Sequence, residues 1–304
     1  MTAAPPAQPS PLTREVSARL VLELSSPADL SLLVAAARTP GAAVEDQLVV
    51  THGAGELPER SRPVEVAVGP PSRGERMHVL TAVPAGRVEV EYSGRLTPGT
   101  TRGGAGDDGA DDAAARDLVE RFELNRPSRY CPSDELTAFA ASEFGTRADH
   151  GDAELVERVT AWVADRLVYT SGSSTAFDGA VQTLLRGQGV CRDYAHLVVT
   201  LARALELPAR LTAVYAPGLA PMDFHAVAEI RVEDGDGGAR WQVHDATQLA
   251  PRPSLWRIST GRDAADTAFL TSLRGGVALR EMEVRAVVTG GDLPADPAGP
   301  VLLA

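Results

Sequence analysis

The stretch "GQGVCRDYAHL" (187–197) sets one cysteine, Cys191, behind two glycines and ahead of an apolar helical pattern. Gly-Gln-Gly-Val opens a helix poorly, whereas the residues after it form one well. Cys191 is therefore expected at or near a helix N-terminus, among unpaired backbone N–H groups. The positive end of a helix dipole favours a thiolate, and the same N–H groups can hold an oxyanion on a substrate carbonyl. The glycines leave room for a substrate backbone beside the sulfur. Taken alone, the residue fits the commoner role of a buried structural thiol better.

A thiol nucleophile needs a base, and the base needs an orienting partner. In "DFHAVAEIRVEDGDGGARWQVHDA" (223–246) two β-like runs flank a Gly/Asp-rich turn. An antiparallel hairpin centred on Gly235 sets His225 opposite Asp245, with Cβ atoms about 4.5–5.5 Å apart on one face. A one-residue slip would part them. In this register Nδ1–H of His225 meets the carboxylate and Nε2 faces Cys191. Asp245 would then fix the tautomer and stabilise the imidazolium. Singly, His225 also reads as a half-buried structural histidine and Asp245 as a turn-capping carboxylate.

Other chemistry-bearing residues fit less well. His196 lies five residues past Cys191, roughly 140° around a helix, and is expected as a buried hydrogen-bonding group. Asp193 and Tyr194 are expected to brace the first turn and the core. Tyr169 and Gln188 are candidates for oxyanion support near the cysteine. In "STGRDAADTAF" (259–269), Arg262, Asp263 and Asp266 read as a helix N-terminus with an internal ion pair. Cys191, His225, His244 and Asp245 are metal-ligand types, but zinc spacings such as CxxC or HExxH are absent. No metal or cofactor is expected, and the acidic loops lack EF-hand spacing, so calcium is not implied.

The elements that must position these residues fall into two blocks. Short β-like runs occupy 18–24, 30–36, 46–52, 63–69, 76–83 and 86–94, several alternating apolar with polar and separated by Gly/Pro turns. They predict an antiparallel sandwich, although "LSLLVAAA" also suits a helix. Residues 95–115, rich in Gly, Thr and Asp, read as a linker. Helical patterns follow at 132–144, 152–169, 173–188 and 191–207. Strands are then expected at 209–216, 225–232 and 240–246, with a last periodic piece at 276–288. The fold class is α+β. The expected organisation is a β-rich N-terminal domain (15–95), a flexible acidic linker (96–115), a catalytic domain (116–290) and a tail (291–304), with residues 1–14 loose.

The 304 residues allow two modest domains. A net charge of -12 argues against nucleic acid or an anionic membrane as partner, since both need a basic face. All 29 basic residues are arginine, so the chain carries no lysine amine to attack an acyl-enzyme of its own kind. Two cysteines make no disulfide framework. The N-terminus lacks an apolar signal core, and no run of about 18 apolar residues suggests a membrane span. A reduced, cytoplasmic protein is expected.

"GQGVCRDYAHLVVTLARALELPARLTAVY", then "DFHAVAEI", then "WQVHDAT" resembles the transglutaminase-like superfamily of papain-like cysteine enzymes, over about residues 150–250. The N-terminal strands and "NRPSRYCPSDEL" are similar to its bacterial branch with a β-rich N-terminal region. The resemblance implies a transglutaminase-core domain, helices packed on an antiparallel sheet, behind a β-sandwich-like domain. It implies Cys191 as nucleophile, His225 as base and Asp245 as orienting carboxylate. Phe224 stands where many members carry Trp, and His244 where many carry Phe or Tyr. Both departures bear on the substrate groove more than on the chemistry, and His244 is expected to point away from Asp245. The implied activity is acyl transfer on a peptide, protein or small amide substrate. The absence of an obvious amine-binding feature favours hydrolysis over transamidation. A catalytically silent binding module is the competing class.

Overall fold

The computed structural model describes residues 12–53, 55–98, 110–233 and 238–303. Residues 1–11, most of the expected linker and the centre of the 233–238 turn lie outside these segments. The chain opens with β1 (Thr13–Leu24), β2 (Ala28–Leu32), β3 (Ala43–His52), β4 (Gly55–Glu56), β5 (Val64–Val68), β6 (Glu75–Val83) and β7 (Gly86–Thr97). All six expected N-terminal strands are present. "LSLLVAAA" begins in β2 and leaves it after Leu32 without forming a helix, its Leu33–Ala37 buried. Next come α1 (Ala110–Glu123), α2 (Thr137–Phe144), α3 (Asp152–Arg166), β8 (Val168–Tyr169), α4 (Ala180–Arg186), β9 (Gln188–Gly189) and α5 (Cys191–Ala204). The chain ends through β10 (Ala209–Tyr215), β11 (Phe224–Glu233), β12 (Ala239–His244), β13 (Trp256–Gly261), β14 (Leu270–Leu273) and β15 (Val277–Thr289).

Two antiparallel sheets, ordered β15-β1-β7-β3-β4 and β14-β2-β6-β5, form the N-terminal sandwich. Its core is made from alternating Leu20, Leu22 and Leu24 of β1, Leu30 and Leu32 of β2, Leu80 of β6, and Val88 and Val90 of β7. The C-terminal strands correct the expected boundaries. β14 pairs with β2, and β15 pairs with β1 along its whole length. Residues 270–289 thus complete the sandwich instead of ending the catalytic domain. Alternation reveals a strand but not its partner, and the long strand β1 had an edge to fill.

The linker is also shorter than its composition suggests. β7 runs on to Thr97, and α1 begins at Ala110. Alanines at 113–115 and the absence of proline let the polar stretch enter a helix. The stretch 259–269 departs from expectation too. It leaves β13 and turns without a helix, although the Arg262–Asp266 ion pair forms at 2.9 Å.

The second unit is a four-stranded antiparallel sheet, β12-β11-β10-β13, with α5 packed against β10 and β11 and α3 against β11. Leu197, Val198, Leu201 and Ala202 of α5 share one core with Leu155, Val159 and Val163 of α3 and with Ala228, Ile230 and Val232 of β11. Tyr215, Trp256 and Ile258 extend from this sheet into the sandwich core. Trp256 Nε1 donates to Ala37 O at 3.0 Å and Tyr215 Oη to Val34 O at 2.7 Å, so the two units share buried contacts.

Candidate active site

Cys191 is the first residue of α5 and half-exposed. The helix begins there because Val190 is extended (φ -110°, ψ 178°) and Asp193 reaches back, its Oδ2 accepting the Val190 N–H at 2.8 Å. This return explains Gly189. A Cβ there would stand 2.6 Å from Cβ of Asp193, so the glycine makes room for the capping carboxylate rather than for a substrate. Gly187 ends α4 in the left-handed region (φ 67°) and turns the chain into β9. Asp193 is buried, and its Oδ1 accepts from Ser174 Oγ at 2.8 Å. Arg192 donates to Ser174 Oγ and to Thr175 O, tying the 173–178 loop to the first turn. Tyr194 donates to Leu167 O at 2.8 Å. Both bracing roles expected for Asp193 and Tyr194 are visible in these bonds.

His225 and Asp245 meet. Nε2 of His225 donates to Asp245 Oδ2 at 2.7 Å, and both side chains are buried. The route differs from the expected one. The ladder pairs Ala228 with His244 and Glu229 with Val243, so its continuation puts Asp245 opposite Val227. The shift amounts to two residues, which preserves the face. The carboxylate therefore lies on the diagonal from His225, about 7–8 Å away between backbones. It is reached by the far nitrogen of the ring rather than by Nδ1. The ring is consequently turned the other way from the sequence expectation. Nδ1 is buried without a nitrogen or oxygen partner, and is the nitrogen left for Cys191, which acts on the ring.

Burial alone would lower the pKa of His225. The charge of Asp245 and its hydrogen bond outweigh this, Cys191 adds to them, and the pKa rises to about 10. Asp245 behaves reciprocally: burial raises its pKa, but His225 and Thr247 bring it below the usual carboxylate value. Thr247 holds Asp245 Oδ1 through its N–H (2.9 Å) and its hydroxyl (2.7 Å). That carboxylate therefore cannot rotate freely.

Tyr169 stands at the same place. Burial first, then the charge of Cys191, pushes its pKa up to about 12, against the pull of the Cys191 backbone N–H. Its hydroxyl therefore lies by the helix tip where an oxyanion would form. Gln188 lies exposed on β9, which pairs with β8 in parallel. Among the described residues no side-chain hydrogen bond joins it to Cys191. His196 is fully buried. It stacks on Tyr130 and accepts Ala264 N–H at 3.1 Å, and burial lowers its pKa to about 3. It is a structural histidine. His244 is buried as well, with its pKa lowered to about 3 by burial and then by Arg252.

Two residues escaped the sequence reading. Ser174 carries no motif, and only its bond to Asp193 shows its role. Asp223, two residues before His225, is an exposed carboxylate whose charge is felt by Tyr169 and by His225. Its closeness to the histidine in "DFHA" was the available signal. Among the described residues no group of three or more His, Cys, Asp and Glu comes together as metal ligands, and no helix is long and apolar enough to cross a membrane.

The profile of the transglutaminase-like superfamily matches residues 138–246, a span that contains Tyr169, Gln188, Cys191, His225 and Asp245. A solved structure of a candidate cysteine protease from Cytophaga hutchinsonii is 28% identical and superposes over 93% of each chain with a TM-score of 0.76. That likeness takes in the β-rich part as well as the core. An uncharacterized protein of Mycobacterium leprae is 24% identical over 180 residues, 57% of this chain and 62% of its own length. The chain thus aligns with less than two thirds of that relative. Residues 138–246 thus match the transglutaminase-like superfamily by profile, and the chain as a whole shares the fold of the Cytophaga structure.

Proposed function

We propose that the chain catalyses cysteine-dependent acyl transfer on amide bonds. The observation that carries this is the His225–Asp245 bond, which leaves Nδ1 free and buried beside a thiol at a helix tip. The Cys191 thiol passes its proton to Nδ1, and the resting thiolate Sγ adds to the amide carbonyl carbon. The oxyanion forms by the first N–H groups of α5. Collapse breaks the C–N bond, and Nδ1 returns the proton to the departing amine. Water or an amine, deprotonated by His225, then attacks the thioester. The C–S bond breaks and the thiol recovers its proton. Asp245 holds the ring and stabilises the imidazolium throughout. The substrate is a peptide, protein or small amide, and the reaction calls on no cofactor.

A thiol-reactive probe tests the assignment. Labelling at Cys191 that persists near pH 6 and is lost in His225→Ala supports a thiolate–imidazolium pair. A Cys191 that reacts no faster than a free thiol overturns it.

A further inference from the structure

Asp223 is the carboxylate at the site with no assigned task. It precedes β11 by one residue and His225 by two. One oxygen, Oδ1, accepts the N–H of Phe224 at 2.7 Å, which orients the group, and Oδ2 has no hydrogen-bond partner among the described residues. Among the described residues no arginine pairs with it, unlike Asp178, held by Arg186 at 2.6 Å, and Glu229, held by two arginines. The nearest charges and dipoles are those of the site itself. Its field reaches the Tyr169 phenol and the His225 ring. Desolvation by the protein around this exposed group raises its pKa, against the pull of Phe224 N–H and His225.

At the site stands one exposed aromatic side chain, Tyr169 (43% exposed), whose phenol feels the charge of Asp223. A carboxylate near an accessible aromatic face suits a cation on an aliphatic stem. His225 hands its proton to the departing amine and takes one from the incoming nucleophile. A carboxylate flanking His225 therefore faces the amine half of the substrate, not the acyl half.

We propose that Asp223 is a specificity-determining residue that receives an ammonium or guanidinium group on the amine half of the substrate. The group belongs either to the leaving amine or to an amine that replaces water at the thioester. The inference rests on acyl transfer at Cys191. In the second case the amine nitrogen bonds to the thioester carbonyl, the C–S bond breaks, and the proton lost by nitrogen passes through His225 to the thiolate.

The test uses the full chain, with Cys191 acylated by a neutral nitrophenyl ester. In one arm the acyl-enzyme partitions between water and either an alkyl diamine or the amino alcohol of the same length. In the other, peptides carrying Arg or Ala after the scissile amide are compared by kcat/KM. A preference for the cationic member of about fivefold is expected in at least one arm, weakening as salt is raised. It should be lost in Asp223→Asn and kept in Asp223→Glu. The arm that shows it identifies the source of the cation. Each ratio is taken within one enzyme, so a partly folded variant does not blur it. Acylation without a cation preference in either arm, or a preference that survives Asp223→Asn, overturns the role of Asp223 alone. Failure of Cys191 to acylate overturns this inference together with the proposed function.

Discussion

Strand β11 carries two buried ionisable groups four residues apart, His225 and Glu229, and their surroundings differ in kind. Glu229 is saturated. Arg257 Nη2 donates to Oε1 at 2.7 Å, while Arg210 Nε (3.0 Å) and Thr212 Oγ1 (2.8 Å) donate to Oε2. Burial raises the pKa of this carboxyl, but the two arginines overcome it and bring it to about 2. Arg210 also stacks over the Trp241 ring at 4.1 Å. His225, equally buried, has one nitrogen held by Asp245 and one without a nitrogen or oxygen partner. A buried carboxylate with both oxygens bonded to charged partners holds structure. A buried polar group left a partner short costs stability and keeps a site for chemistry.

The contrast breaks most visibly at the thiol. Cys191→Ala is expected to reduce turnover by about 10⁴–10⁶-fold with an unchanged denaturant midpoint. Steady-state kinetics and a urea melt on the same preparation check both halves. A turnover loss below tenfold would remove the nucleophile. Next, Asp245→Asn keeps the shape but releases control of the ring tautomer, and a loss of about 10³–10⁴-fold is expected. If activity stays near wild type, the carboxylate does not orient His225.

Glu229→Gln is the mirror experiment. It leaves Arg257 buried without its counter-charge and Arg210 with Glu120 alone, at 3.3 Å, and a stability loss of about 3 kcal/mol is expected. Activity per folded molecule should change little. A melt indistinguishable from wild type would show that this cluster is not holding the sheet.

The pH windows of the two groups are opposite. Glu229 has a pKa below its ordinary value in the folded protein, so its contribution is present above about 4.5 and lost as pH falls toward about 2. His225 has a raised pKa, so its contribution is full below about 6.5 and lost as pH rises through about 10. Urea melts across pH should show the Glu229→Gln penalty shrinking in acid and the His225→Gln penalty shrinking in alkali. The smallest effect belongs to Tyr169→Phe. It removes the hydroxyl beside the Cys191 N–H, which should speed acylation by up to about fivefold, one hydrogen bond's worth. Slower acylation would mean that the hydroxyl assists the reaction.

Much of this was legible beforehand. The six N-terminal strands, α3, α5 and the strands around His225 follow from apolar periodicity, because each element buries one face. What periodicity could not reveal was partnership. The strand at 277–289 reads as a strand anywhere, and only the free edge of β1 places it in the sandwich. α1 hid in a stretch whose Asp and Gly content resembles linker. The segment 173–188 reads as one helix, but only Ala180–Arg186 forms it. Gly179 leads into that helix, and the preceding loop is pinned by Asp178 and Arg192.

By itself the chain determined the types and order of the reacting groups: a thiol behind Gly-x-Gly-x, then a histidine and an aspartate on strands around one turn. Local physics suffices there, since glycine, capping carboxylate and alternation act within a few residues. Which nitrogen of His225 faces the thiol was decided by the tertiary structure. It depends on a two-residue shift between β11 and β12, and register is set by the packing of whole strands. The same holds for the unpaired state of Asp223 and the saturated state of Glu229. Both carboxylates are ordinary in sequence, and only the arrangement of arginines in three dimensions tells them apart.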